Sequence, residues 1–219
     1  MKKKVLSAIL ALAMVFTLLI MPGVKPTKAD NLKEVKYATS KVISRGNPYI
    51  YVDLGKKWDG NKKLTVKSSN NRVVKPEGDG YPVLNLKRAG TATVTFKTGG
   101  KSYKMKFKVL AYKNPVKLFS VGGKKIAGKF KSSSTAWLKY TGSKPTIKVT
   151  PNKGWKLKSI KYEAYKYDEA TDTYTRYVKT VKNKTSVKLK GSNWDSYIVV
   201  KLYNSNKKIT EILELYLNR

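Results

Sequence analysis

The chain has 219 residues, 47 of them Lys or Arg against 13 Asp or Glu, for a formal net charge of +34, and it contains neither His nor Cys. These absences exclude a Ser/His/Asp triad, a cysteine nucleophile, a disulfide framework and a Cys/His zinc site. With 41% apolar residues the chain can still bury a core, and its length suits one large domain or two small ones.

At the start, Lys2, Lys3 and Lys4 precede an uncharged apolar stretch from Val5 to Met21, which Pro22, Gly23 and Pro26 then break. This pattern predicts a secretory signal peptide over residues 1–29, cut between Ala29 and Asp30. No later segment is long and apolar enough to cross a bilayer, so no transmembrane segment is expected after cleavage. The expected product is secreted or extracellular, associated with the cell wall by non-covalent contacts. A Cys-free exported chain fits the exterior of a Gram-positive cell.

From about residue 34 onward, short runs of period-two alternation are separated by Gly, Asn, Pro and Ser clusters, which predicts an all-β chain with very little helix. Strands are expected at Tyr49–Leu54, Leu64–Ser68, Val73–Lys75 and Val83–Lys87, with turns at Asp59-Gly60 and Gly78-Asp79-Gly80. Next come Thr91–Phe96 and Ser102–Val109, joined through Gly99-Gly100, a pair suited to the positive φ angles of a tight hairpin. In the second of these runs Tyr103, Met105, Phe107 and Val109 share a core-facing side, and Lys104, Lys106 and Lys108 share the other. About seven short strands suit a sandwich over residues 30–112. Lys113-Asn114-Pro115 then reads as a linker, since Pro cannot donate to a ladder.

A second all-β domain, sandwich-like and of unassigned family, is expected over residues 116–219. Its candidate strands are Val116–Val121, Lys124–Lys131, Thr135–Tyr140, Thr146–Thr150, Lys156–Tyr167, Tyr174–Val181, Ser186–Lys190, Tyr197–Tyr203 and Lys207–Leu217.

Within the first domain, the run Leu64-Thr65-Val66-Lys67-Ser68-Ser69-Asn70, the pair Val73-Val74, and above all Arg88-Ala89-Gly90-Thr91-Ala92-Thr93-Val94-Thr95 carry a likeness, completed by the Gly-Gly hairpin and the alternating strand after it. Residues 64–111, and more loosely 32–63, resemble the bacterial immunoglobulin-like group 2 domain. The resemblance implies an immunoglobulin-like β-sandwich of bacterial surface and secreted proteins, often adhesins or accessory modules, and brings no catalytic residues with it.

Charge is the strongest functional signal, because so large an excess of cations concentrates polyanions around the chain. Lys101, Lys104, Lys106 and Lys108 are the candidate polyanion contacts; on a terminal strand the last three would also blunt an exposed sheet edge. The surface is lysine-dominated, with Arg45, Arg72, Arg88, Arg176 and Arg219 dispersed, which argues against specific nucleic-acid readout. The second signal is aromatic. If Asp168–Thr173 closes a hairpin, Tyr167 pairs with Tyr174 and Tyr165 with Arg176 on one face, leaving Tyr162, Ala164 and Tyr177 on the other. Such a strip can stack a sugar or a base, or simply stabilise the sheet. Asp168, Glu169 and Asp172 lack the spaced ligand series of a calcium loop, Glu163, Glu211 and Glu214 are scattered, and no metal, cofactor or catalytic site is expected. Trp58, Trp137, Trp155 and Trp194 each stand isolated near a turn or strand end and read as packing residues. The expected partner is an anionic cell-envelope polymer or glycan. The alternatives are another surface protein met by sheet-edge contacts and a nucleic acid bound without sequence preference.

Overall fold

Alternation is converted almost run for run into strands. The structure, a computed structural model, describes residues 33–58, 60–77 and 80–218. The predicted signal peptide, and Asp59, Gly78 and Asp79 of the predicted turns, lie outside the described residues. The chain divides into two compact units. Among the described residues, one takes those up to Ser40 with Pro48–Lys87 and Thr91–Lys106; the other takes Lys41–Asn47, Arg88–Gly90 and those from Phe107 onward.

Up to Leu110 the strands form two four-stranded sheets. Strands β1 (Lys33–Lys36), β3 (Tyr49–Asp53), β5 (Val74–Glu77) and β6 (Val83–Leu86) lie in the order β1-β3-β6-β5. Strands β2 (Ser40–Ser44), β4 (Leu64–Ser68), β7 (Gly90–Thr98) and β8 (Lys101–Leu110) lie in the order β2-β8-β7-β4. Ile50, Val52, Leu84, Val94, Phe96 and Met105 are wholly buried, so each strand turns one side inward, as period-two patterning demands. Gly99 and Gly100 close the β7–β8 hairpin at φ 53° and 74°, angles at which a Cβ would be strained. Neither β1 nor β2 is among the predicted strands. Lys33–Lys36 has little alternation of its own, and its place comes from parallel pairing with β3, Val35 opposite Val52.

The later strands form the second pair of sheets. Strands β9 (Val116–Val121), β10 (Lys124–Lys125), β12 (Thr146–Pro151) and β15 (Thr185–Ser186) lie in the order β10-β9-β12-β15. Strands β11 (Thr135–Lys139), β13 (Trp155–Asp168), β14 (Thr173–Thr180), β16 (Asp195–Asn204) and β17 (Ile209–Asn218) lie in the order β11-β17-β16-β13-β14. Their inner faces share one core containing Phe119, Phe130, Tyr162, Val200 and Leu215. Phe119 and Phe130 stack with centroids 5.5 Å apart. The fold is therefore all-β, built of sandwich-like pairs of sheets, with only two short 3-10 turns, Gly55–Lys57 and Ala127–Phe130, among the described residues.

Two expected strands shrink to two residues each. Lys124–Lys131 pairs only at Lys124–Lys125; the 3-10 turn at Ala127–Phe130 then swings Phe130 into the core, a burial that an extended chain would not provide there. Ser186–Lys190 is strand only at its start. Val187 and Leu189 stay buried while their amides donate to Pro145 O (3.1 Å) and Ser143 O (2.8 Å), and Lys190 N donates to the Tyr162 hydroxyl (2.8 Å). The buried backbone is thus satisfied without a regular ladder. The Tyr162 hydroxyl also meets Ser196 Oγ at 3.0 Å.

Lys113-Asn114-Pro115 is hydrogen-bonded into the second unit. Asn114 Nδ2 donates to Ala127 O at 2.9 Å, and Asn152 N donates to Pro115 O at 2.9 Å. The same unit holds Gly46, whose carbonyl accepts from Ser134 N at 2.9 Å. A β carbon on Gly46 would stand 2.5 Å from Glu211 Oε2 and 2.6 Å from the Tyr112 ring, so even alanine there would require these side chains to shift. Burial and the neighbouring Glu211 carboxylate push the Tyr112 hydroxyl well above the usual tyrosine range.

Candidate functional site

Two outer sheet faces carry the residues singled out by sequence. On β8, Met105, Phe107 and Val109 are buried, and Lys104, Lys106 and Lys108 alternate with them as exposed residues. The strand is not terminal. It lies between β2 and β7, so its lysines furnish the face of a sheet rather than guarding an edge. Lys101 has the parity of Met105 and leaves the strand on the opposite side from the other three, beyond the end of the core. The companions of Lys104 and Lys106 on the outer face come from the neighbouring strands. Thr93, Thr95 and Lys97 alternate with the buried side of β7, and Lys67 stands opposite Thr95 from β4. No Asp or Glu occurs in β2, β4, β7 or β8, so this sheet supplies no carboxylate to neutralise its lysines.

The other face belongs to the five-stranded sheet. The register of β13 and β14 is the expected one: Tyr167 faces Tyr174, Tyr165 faces Arg176 and Ala164 faces Tyr177. Tyr165, Tyr167, Tyr174 and Arg176 fall into two groups. Beyond Tyr165, which stands opposite Asp195 at the start of β16, strand β13 pairs only with β14, and the two continue as an arm. On that arm Tyr167 and Tyr174 are 43% and 48% exposed, with centroids 4.9 Å apart. The Tyr167 hydroxyl donates to Asp172 Oδ1 at 2.7 Å, which raises its pKa, and Ala170 N donates to Asp168 Oδ1 at 3.0 Å. These two carboxylates therefore shape the hairpin.

Tyr165 and Arg176 sit back in the sheet around Glu163. Arg176 Nη2 lies 2.7 Å from Glu163 Oε2, the Tyr165 hydroxyl donates to the same oxygen at 3.0 Å, and the guanidinium rides over the Tyr165 ring at 5.6 Å. Burial pushes the Glu163 carboxyl up. The hydrogen bonds from Arg176 and Tyr165 and the charges of Arg176 and Lys161 outweigh it and hold the group below the usual glutamate range.

The row does not stop at Tyr165. Its ring meets Tyr197 of β16 edge to face at 5.6 Å, Tyr197 meets Tyr216 of β17 at 4.6 Å, and Tyr216 stacks on Trp137 of β11 at 5.4 Å. Four rings and a guanidinium thus cross all five strands. Trp137 is neither isolated nor a packing residue in the core: it projects outward at 55% exposure, the outer end of this row. Sequence reading missed Tyr197 and Tyr216 as members. The usable signal was parity, for each ring alternates with core residues, Trp137 between Ala136 and Leu138, Tyr197 beside Ile198, Tyr216 between Leu215 and Leu217. The acids Glu163, Asp195 and Glu214 share this outward parity, so the face is charge-mixed where the β8 face is purely cationic.

These faces and folds define an all-β protein of sandwich-like domains. No protein-family model and no curated protein matches the chain. Among solved structures it is similar to domains 5-6 of the S-layer protein SbsC, at 16% identity over 83% of this chain and 94% of that one, with a TM-score of 0.27. It is also similar to human protocadherin-24 EC1-2, at 10% identity over 83% of this chain and 94% of that one, TM-score 0.26. A third likeness is to a SusE-like surface located polysaccharide binding protein from the Bacteroides thetaiotaomicron heparin utilisation locus, at 14% identity over 82% of this chain and 32% of that one, TM-score 0.26. Likenesses at this level carry no argument about function.

Proposed function

We propose that the protein is a non-catalytic binding module of the Gram-positive cell exterior, secreted after loss of residues 1–29, that attaches to anionic envelope polymers or glycans. In this reading residues 30–112 form a bacterial immunoglobulin-like group 2 module, residues 116–219 form a second β domain, and Lys113-Asn114-Pro115 joins them. The observation that carries the reading is the sheet β2-β8-β7-β4, whose lysines lie on strands without a single carboxylate. Lysines so placed repel one another, and a polyanion relieves that repulsion while releasing its own condensed counterions. The sheet fixes the backbone positions from which these lysines project, so little backbone order is lost on binding.

The test is retention on purified cell-wall polymer across a salt series. Log affinity should fall linearly with log salt, and Lys104→Gln, Lys106→Gln and Lys108→Gln combined should flatten the slope. Absence of binding at low salt overturns the reading.

A further inference from the structure

The second unit contains a concave site that none of the sequence motifs indicated. The turn between β12 and β13, the turn between β16 and β17, and the segment before β9 meet around a cleft of about 420 Å³. That volume falls inside the range of about 300–1,000 Å³ typical of small-ligand sites. Lys113, Lys153 and Lys207 come one from each segment, and the lining includes no Asp or Glu. Trp155 forms part of the wall, half-buried because it also packs on the core.

The cleft is held in shape from below. Asn152 donates through its amide nitrogen to Asn114 O at 2.9 Å and through its backbone to Pro115 O at 2.9 Å, tying the first turn to the segment before β9. Trp155 and Asn204 face each other in the β13–β16 ladder. Asn204, only 6% exposed, accepts from Lys207 N at 3.0 Å and so fixes the turn that carries Lys207. Three cations are thereby presented on braced turns around side-chain amides and one indole.

We propose that this cleft binds a saccharide unit bearing a phosphate or carboxylate group. The lysines supply the charge complement, the exposed amide of Asn206 suits a sugar hydroxyl, and the indole offers a surface for the apolar face of a pyranose. A nucleotide fits less well, because the lining has no Arg to form a bidentate contact with a base edge. The site shares its ligand class with the proposed function but none of its lysines with the β8 face, so the two fail separately.

The test follows the four indole N–H resonances of the protein by NMR, with Trp155 assigned from Trp155→Phe, during titration with glucose 6-phosphate, glucose, inorganic phosphate and single-stranded oligothymidylate. The Trp155 signal should move with glucose 6-phosphate at lower concentration than with glucose or inorganic phosphate. Combined Lys153→Gln and Lys207→Gln should weaken that response roughly tenfold, while Lys104→Gln with Lys106→Gln leaves it unchanged. A Trp155 signal that stays still, that answers equally to inorganic phosphate, that answers more strongly to the oligonucleotide, or that survives the cleft double substitution overturns the proposal. Retention on wall polymer that persists alongside such a result leaves the β8 reading standing.

Discussion

The sheet β2-β8-β7-β4 and the sheet β11-β17-β16-β13-β14 obey the same alternation, yet they use their outward positions in opposite ways. On the first, Lys and Thr project from strands that contain no acid, so the charges find no answer within the sheet. On the second, rings touch rings from β11 to β13, and Arg176, Tyr165 and Glu163 satisfy one another. An outer face whose groups are mutually satisfied stabilises its own sheet. One whose charges are all alike contributes little to stability and gains from a partner of opposite sign.

The contrast can be broken most forcefully from beneath. Tyr162→Ala should cost about 3–5 kcal/mol, because it empties the core under the aromatic row and strips partners from Ser196 and Lys190 N; denaturant unfolding measures it. Next in size is the binding effect of Lys104→Gln, Lys106→Gln and Lys108→Gln together, roughly a tenfold or greater loss of affinity for wall polymer at low salt, with stability unchanged or slightly raised. Equivalent changes at Lys139, Lys161 and Lys201 on the mixed face should leave retention nearly intact, and equal losses from both sets would erase the distinction.

Glu163→Gln comes third, at about 1 kcal/mol, since it removes an ion pair whose carboxylate is only 13% exposed. Its pH signature has a definite sign. The folded state holds this proton less tightly than the unfolded chain, so the contribution is complete above the ordinary value of 4.5 and is lost as pH falls through the lower folded value. The parent protein should therefore lose more stability on acidification than Glu163→Gln, and parallel acid titration curves would refute the assignment. Smallest is Trp137→Ala, about 0.5–1 kcal/mol, because the indole is exposed and stacks on one ring only.

Most strands were legible because they alternate against a single core. Val116–Val121 and Leu64–Ser68 match their expected bounds, and the register of the tyrosine hairpin was foreseen, although Asp168 and Thr173, expected in its loop, pair as strand residues. What escaped has a common cause, namely pairing between distant segments. Strand β1 is set by its parallel neighbour β3, and although β11 was expected as a strand, its place came only from parallel pairing with β17, Trp137 opposite Tyr216. Whether β8 was an edge or an interior strand likewise depended on β2, whose Ser40–Ser44 sequence shows no strong alternation. The site followed the same rule. Tyr165, Tyr167, Tyr174 and Arg176 belong to one hairpin and could be grouped by counting; Trp137, Tyr197 and Tyr216 come from three separate strands and could be joined only by the sheet order.

The position of β17 has a mechanical consequence. It lies inside its sheet, antiparallel to β16 from Ile209 to Leu217 and parallel to β11 from Glu214 to Asn218. A pull along this strand loads both ladders in shear, so many hydrogen bonds must fail together instead of opening one by one. Under tension the rate of rupture, rather than the equilibrium stability, governs survival. The parallel closure by β11 thus acts as a clamp on β17, and shortening β11 would lower the force the strand withstands.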